Sequence, residues 1–131
     1  MESFKISTRS KTELIEITGQ VQRVVSSSGV REGVCHVFIP HTTAGVTVNE
    51  SADPSVRKDL IMALNRVIPL NDAYAHMEGN APAHIKASMV GSSVTIPVSE
   101  GAIALGTWQG IFFCEFDGPR TRSVWVTLAG K

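Results

Sequence analysis

Apolar and polar residues alternate through ESFKISTRSKTELIEI, residues 2–17, with Phe4 and Ile6 before a polar turn and Leu14 and Ile17 after it. This pattern predicts a β-hairpin. Thr18 stands where a helix N-cap is expected. Val21, Val24 and Val25 then share one helical face and Gly29 stops the segment. GVCHVFIP and GVTVNE read as strands joined by HTTA. In DPSVRKDLIMALNRVIP, Val56, Leu60, Leu64 and Val67 recur at helical spacing, with Asp53 as cap, Pro54 at the first position and Pro69 past the end. Asn80 opens a shorter helix, APAHIKASMV, which Gly91 follows. Four strands close the chain, SSVTIPV, AIALGTW, IFFCEF and RSVWVTL, separated by SEG, QG and DGPR. The order ββαββααββββ predicts a single α+β domain over residues 1–131, with about three helices on a mixed or largely antiparallel β-sheet.

Composition narrows the partners. Twelve basic residues balance twelve acidic ones, and the pI is near 6.9, so no overall field attracts nucleic acid or an anionic membrane. The N-terminus lacks an apolar signal region, and no apolar run reaches the ~18 residues of a membrane span. Cys35 and Cys114 lie in apolar, strand-like runs, where cysteine acts as a small hydrophobe, so a reducing cytoplasm is expected.

Polar residues gather at the element ends. His41, Thr42 and Thr43 occupy the PHTTAG turn, and Asn49 and Glu50 close the next strand. For the threonines, turn chemistry competes with ligand binding. His76 and His84 flank Gly79-Asn80. With His41 they form a candidate site for a divalent ion or a proton shuttle, although their spacing matches no specific zinc motif. His36, inside an apolar strand, reads as a structural or edge-strand residue. Alternation in FFCEFDGPRTR places Glu115 and Asp117 on one face, as an acid/base pair or a magnesium site. The other reading is an Asp-Gly-Pro turn with Glu115 paired to Arg120 or Arg122. Lys86 and the helix start near Asn80 suit a phosphate, or an ordinary capped helix. Trp108 beside Gln109 either stacks on a ligand ring or packs on the core, and packing is the expectation.

Together, HTTAGVTVNESADPSVRKDL, HMEGNAPAHIKASMVGSS and LGTWQGIFFCEFDGPRTRSVWV resemble the YjbQ family, described as secondary thiamin-phosphate synthases, over nearly the whole chain. The resemblance implies a compact α+β homotrimer with pockets lined from more than one subunit. It also implies a weak activity that joins hydroxymethylpyrimidine diphosphate to a thiazole phosphate and releases diphosphate. The family's motif histidines fall on His41, His76 and His84. Its polar companions fall on Thr42, Thr43, Asn49, Glu50, Glu78, Asn80, Lys86, Trp108, Gln109, Glu115 and Asp117.

On that basis His41, His84, Glu115 and Asp117 are the expected catalytic residues. Thr42, Thr43, Asn49, Asn80, Lys86, Trp108 and Gln109 are expected to bind a small phosphorylated substrate. His41, His76 and His84 are expected to hold a divalent metal ion, magnesium or zinc, that supports the leaving diphosphate. The chain lacks a Gly-rich phosphate loop and a DDxxD-like run, which fits a weak activity. Two other readings stand beside the synthase: a metal-dependent hydrolase or lyase using the same three histidines, and a non-catalytic small-molecule-binding protein.

Overall fold

A computed structural model describes residues Met1–Lys131. The elements are β1 (Glu2–Ser7), β2 (Glu13–Glu16), α1 (Thr18–Ser28), β3 (Gly33–Phe38), β4 (Ala44–Glu50), α2 (Pro54–Val67), α3 (Ala81–Val90), β5 (Ser93–Ser99), β6 (Ala102–Ile103), β7 (Gln109–Glu115) and β8 (Thr121–Gly130). Their order is the one the sequence pattern predicts. They form two sheets rather than one, a larger sheet ordered β1-β8-β3-β5-β6 and a smaller one ordered β2-β7-β4. Every strand pairing is antiparallel.

The expected hairpin between β1 and β2 does not form. Phe4 lies opposite Val124 on β8, whereas Leu14 lies opposite Cys114 on β7, so the two strands belong to different sheets. The Thr8 amide continues the β1–β8 ladder by donating to the Arg120 carbonyl at 2.9 Å, and only then does the chain cross over. Alternation fixes the face that a strand buries and leaves its partner open.

The main core lies between the sheets. Val37, Ile96, Val124 and Val126 come from the larger sheet and Val46, Ile111 and Phe113 from the smaller, with Ile17, Val21 and Val25 of the α1 region completing the cluster. Burying each such side chain contributes about 1.5–3 kcal/mol relative to leaving it exposed. Gly29 ends α1 at φ 77°, the left-handed conformation that glycine adopts without a Cβ penalty. Thr18 is not the N-cap: Ile17 holds that position. The Thr18 hydroxyl instead accepts from the Ile111 amide at 2.9 Å, tying the helix start to β7.

The β7 strand is buried on both faces. Ile111 and Phe113 enter the main core, while Cys114 and Phe116 meet Ala83 and Ala87 of α3 in a second cluster. Small alanines let α3 lie close against the sheet. α2 begins as predicted, with Pro54 in its first turn and the Asp53 carboxylate accepting from the Ser55 amide at 2.9 Å. It rests more lightly, with no fully buried residue. Cys35 and Cys114 are free thiols in the interior.

Candidate functional site

Between the β3–β4 connection and α3 lies a cleft of about 380 Å³. His41 and Thr42 line it from the connection, Ala44 from the start of β4, His84, Ala87 and Ser88 from the helix, and Gly91 and Ser92 from the turn beyond. Its walls therefore carry two imidazoles and three hydroxyls but no carboxylate. β4 passes so close to the end of α3 that a Cβ at Gly45 would lie 2.5 Å from the Gly91 carbonyl oxygen. The Val46 amide donates to that same oxygen at 3.1 Å, which locks the floor of the cleft.

Behind His41 stands a buried ion pair. Glu115 is 0% exposed and Arg122 2%. Arg122 Nε donates to both Glu115 carboxylate oxygens, at 2.9 and 3.1 Å, and its Nη2 donates to the same carboxylate and, at 2.8 Å, to Thr43 Oγ1. Thr8 Oγ1 and the Asp117 amide donate at 2.7 and 3.1 Å. Burial alone would raise the Glu115 carboxyl; the Arg122, Thr8 and Asp117 donors outweigh it and hold the group below its ordinary value.

Glu115 and Asp117 do not face each other as an unshielded acid pair. The Asp117 carboxylate accepts from Arg120 at 3.1 Å and from Asn80 Nδ2 at 3.0 Å, with Lys11 at 3.7 Å. The reading that pairs Glu115 with an arginine of the following strand describes the observed contacts.

The structure corrects the expected metal centre. No group of three His, Cys, Asp or Glu side chains stands close enough together to hold an ion, so His41, His76 and His84 do not form a magnesium or zinc site. His41 turns its Nε2 to the backbone, where the Ser123 amide donates to it at 2.9 Å. His76 packs edge-on against His84, with ring centroids 5.1 Å apart, and its Nε2 lies 3.9 Å from Glu78. A hydrolase or lyase built on those three ligands loses its basis. Burial, then the Arg122 guanidinium, push the His41 pKa below its ordinary value; Lys5 adds to this, while Glu115 and the Ser123 backbone oppose it without reversing it.

The remaining candidates separate. Lys86 is 1% exposed and donates to Asn65 Oδ1 of α2, away from the cleft. Burial, then Lys11, lower its pKa. Asn80 lines a smaller cleft of about 250 Å³ with Lys11, Asn71 and Phe116. Asn49, Glu50 and Gln109 stand at the far end of the smaller sheet, because Glu50 pairs with Gln109 while Ala44 pairs with Glu115. Seven residues of strand span about 20 Å. Trp108 beside them does not pack on the core but is 64% exposed. His36 lies on a central strand rather than an edge, with its Nδ1 3.0 Å from Thr95 Oγ1.

Sequence reasoning passed over Ser88, Ser92 and Ser123. Ser88 follows His84 by one helical turn, and that i, i+4 relation is the signal that finds it. The Ser123 contribution is a backbone amide, for which side-chain identity carries no signal.

The family described as UPF0047 protein YjbQ-like matches residues 2–131. The chain is 50% identical over 127 residues to the UPF0047 protein MJ1081 of Methanocaldococcus jannaschii, covering 97% of this chain and 92% of that protein. It is 44% identical over 131 residues to the UPF0047 protein YugU of Bacillus subtilis, covering 99% of each. A crystal structure of a YjbQ/UPF0047 family protein from Clostridium acetobutylicum matches with a TM-score of 0.97 at 48% identity, covering 98% of this chain and 100% of that one. The structure of TT1486 from Thermus thermophilus matches with a TM-score of 0.92 at 37% identity, covering 98% and 100%. Family profile, relatives and solved structures agree over nearly the full length, and the chain belongs to the YjbQ/UPF0047 family.

Proposed function

We propose that the His41–His84 cleft binds phosphoryl groups of a small substrate and that the chain is a weak thiamin-phosphate synthase. The observation that carries this reading is the cleft lining of two imidazoles and three hydroxyls without a carboxylate. Such a surface donates hydrogen bonds to anionic oxygens and offers no competing negative charge. In the reaction, the thiazole nitrogen attacks the exocyclic methylene carbon of the pyrimidine. The C–O bond to diphosphate breaks, and diphosphate leaves with the electron pair. The attacking nitrogen has no proton to lose, so the step needs orientation and charge stabilisation rather than a general base.

In this reading the chain is cytoplasmic and assembles as a homotrimer in which a neighbouring subunit completes each pocket. Two features support the assembly. Trp108, Asn49 and Gln109 lie at the end of the smaller sheet opposite the cleft, and the tryptophan is 64% exposed. Met62, Leu70 and Met89 add exposed apolar surface on and beside α2 and α3. No helix is long and apolar enough to cross a membrane.

The test is thiamin-phosphate formation from the two phosphorylated precursors, measured for the wild type, His84→Ala and Trp108→Ala. The expected result is turnover in the wild type and a loss of at least about tenfold in each variant. Subunits of the two variants mixed and reassembled should regain part of the rate. Turnover unchanged in His84→Ala would reject the cleft as the site. Ligand binding without turnover in the wild type would favour a binding protein.

A further inference from the structure

We propose that Arg122 and Ser123 are positioning residues that hold His41 as a neutral imidazole with its Nδ1–H presented to the ligand. The ligand half of this inference rests on the phosphoryl reading of the cleft; the positioning half rests on β8 alone. Two successive residues of that strand act on one loop. The Arg122 side chain grips Glu115 and reaches Thr43 Oγ1 at 2.8 Å, which pins the connection carrying His41. The Ser123 backbone amide donates to His41 Nε2 at 2.9 Å.

An amide N–H cannot accept a hydrogen bond, so Nε2 keeps its lone pair while this contact stands. A neutral imidazole carries one N–H, and here it must lie on Nδ1. A second proton would set two N–H groups against each other. The charges around the ring act in the same sense. Arg122 on β8 and Lys5 on β1 repel a proton there; Glu115 on β7, already paired with Arg122, and the Ser123 backbone pull the other way, and burial with Arg122 outweighs them. Lys5 is held in place by donating to Ser123 Oγ at 2.8 Å. His84 of α3 shares the cleft.

Two consequences follow for the reaction. His41 donates to a phosphoryl oxygen without changing charge, and its Nε2 is unavailable as a general base. Both suit a nucleophile with no proton to give up. The ligand class is an acceptor-rich anion, diphosphate or a phosphate monoester, rather than an amine or an alcohol requiring deprotonation.

The decisive experiment is a long-range proton–nitrogen correlation spectrum of the uniformly 15N-labelled full chain, followed by titration with inorganic diphosphate. The His41 ring should appear as the Nδ1–H tautomer at pH 7 and remain neutral as the pH falls past the ordinary histidine value of about 6.5. Arg122→Lys keeps the charge but loses the planar fork. In that variant the tautomer should become mixed, His41 should protonate at higher pH, and diphosphate affinity should fall about tenfold. An Nε2–H tautomer or a charged ring in the wild type at pH 7 would overturn the positioning. So would an Arg122→Lys protein unchanged in all three readouts. The wild-type spectrum needs no variant, so the test stands even if Arg122→Lys does not fold. An Nδ1–H tautomer in a wild type that binds no diphosphate would reject the ligand half and the phosphoryl reading together, and leave the positioning intact.

Discussion

The Arg122 guanidinium lies against the Glu115 carboxylate in an ion pair almost wholly excluded from water, at 2% and 0% exposure, and the same guanidinium holds Thr43. Thr43 belongs to the connection that carries His41 and Thr42 into the cleft. The pair therefore links the interior of the sandwich to the geometry of the site.

Removing one partner strands the other as an uncompensated buried charge. Glu115→Ala should lower unfolding stability by about 3–5 kcal/mol in urea, whereas the double change Glu115→Met with Arg122→Met should cost much less. A single-variant loss below about 1 kcal/mol would show that water reaches the pair.

The pair also sets an acid limit. The folded pKa of Glu115 is depressed, chiefly by Arg122 and Thr8 working against burial. Its contribution is therefore fully present above the unfolded value of about 4.3 and is lost as the pH falls through the folded value. Urea unfolding of the wild type and Glu115→Gln should differ most near neutral pH and converge as the pH drops below about 4. A gap constant down to pH 3 would contradict this.

Lys86 is the opposite case, a buried amine with a neutral partner, Asn65, and no carboxylate in an ion pair with it. Its lowered folded pKa means that the penalty is complete at low pH and fades as the pH rises through the folded value toward the unfolded one, about 10.4. Lys86→Met should stabilise the chain by about 1–2 kcal/mol at pH 7, and less near pH 10. A destabilised variant would indicate that the ammonium has a counter-charge in the assembled protein.

Burial raises the thiols of Cys35 to about 11 and of Cys114 to about 12. Native protein at pH 8 should resist iodoacetamide at both positions, and denatured protein should take up two labels, counted by mass. Rapid native labelling of either cysteine would show that its surroundings open readily.

The helices were the most legible part of the fold, because their signals are local. Asp53-Pro54 opens α2, and Ala81–Val90 is the predicted third helix residue for residue. The partners of β1 and β2 were not legible, since alternation in FKIS and ELIE specifies a buried face while sheet membership is decided by β8 and β7, about a hundred residues away. Within the site, clustering of polar residues at element ends marked His41, Thr42 and His84. It did not show that Asn49 and Trp108 lie at the other end of the smaller sheet. The metal centre failed for a related reason: shared ligand chemistry does not imply convergence, and the three histidines do not come together as one ligand group.

The most direct test of the central claim is to map inorganic diphosphate onto the chain by amide chemical-shift changes in the full-length protein. The account predicts saturable shifts confined to the cleft lining, at His41, Thr42, Ala44, His84, Ser88 and Ser92, abolished in His84→Ala. Shifts centred instead on Lys11, Asn71 and Asn80 would move binding to the smaller cleft, and no saturable shift anywhere would contradict a phosphoryl site in this protein.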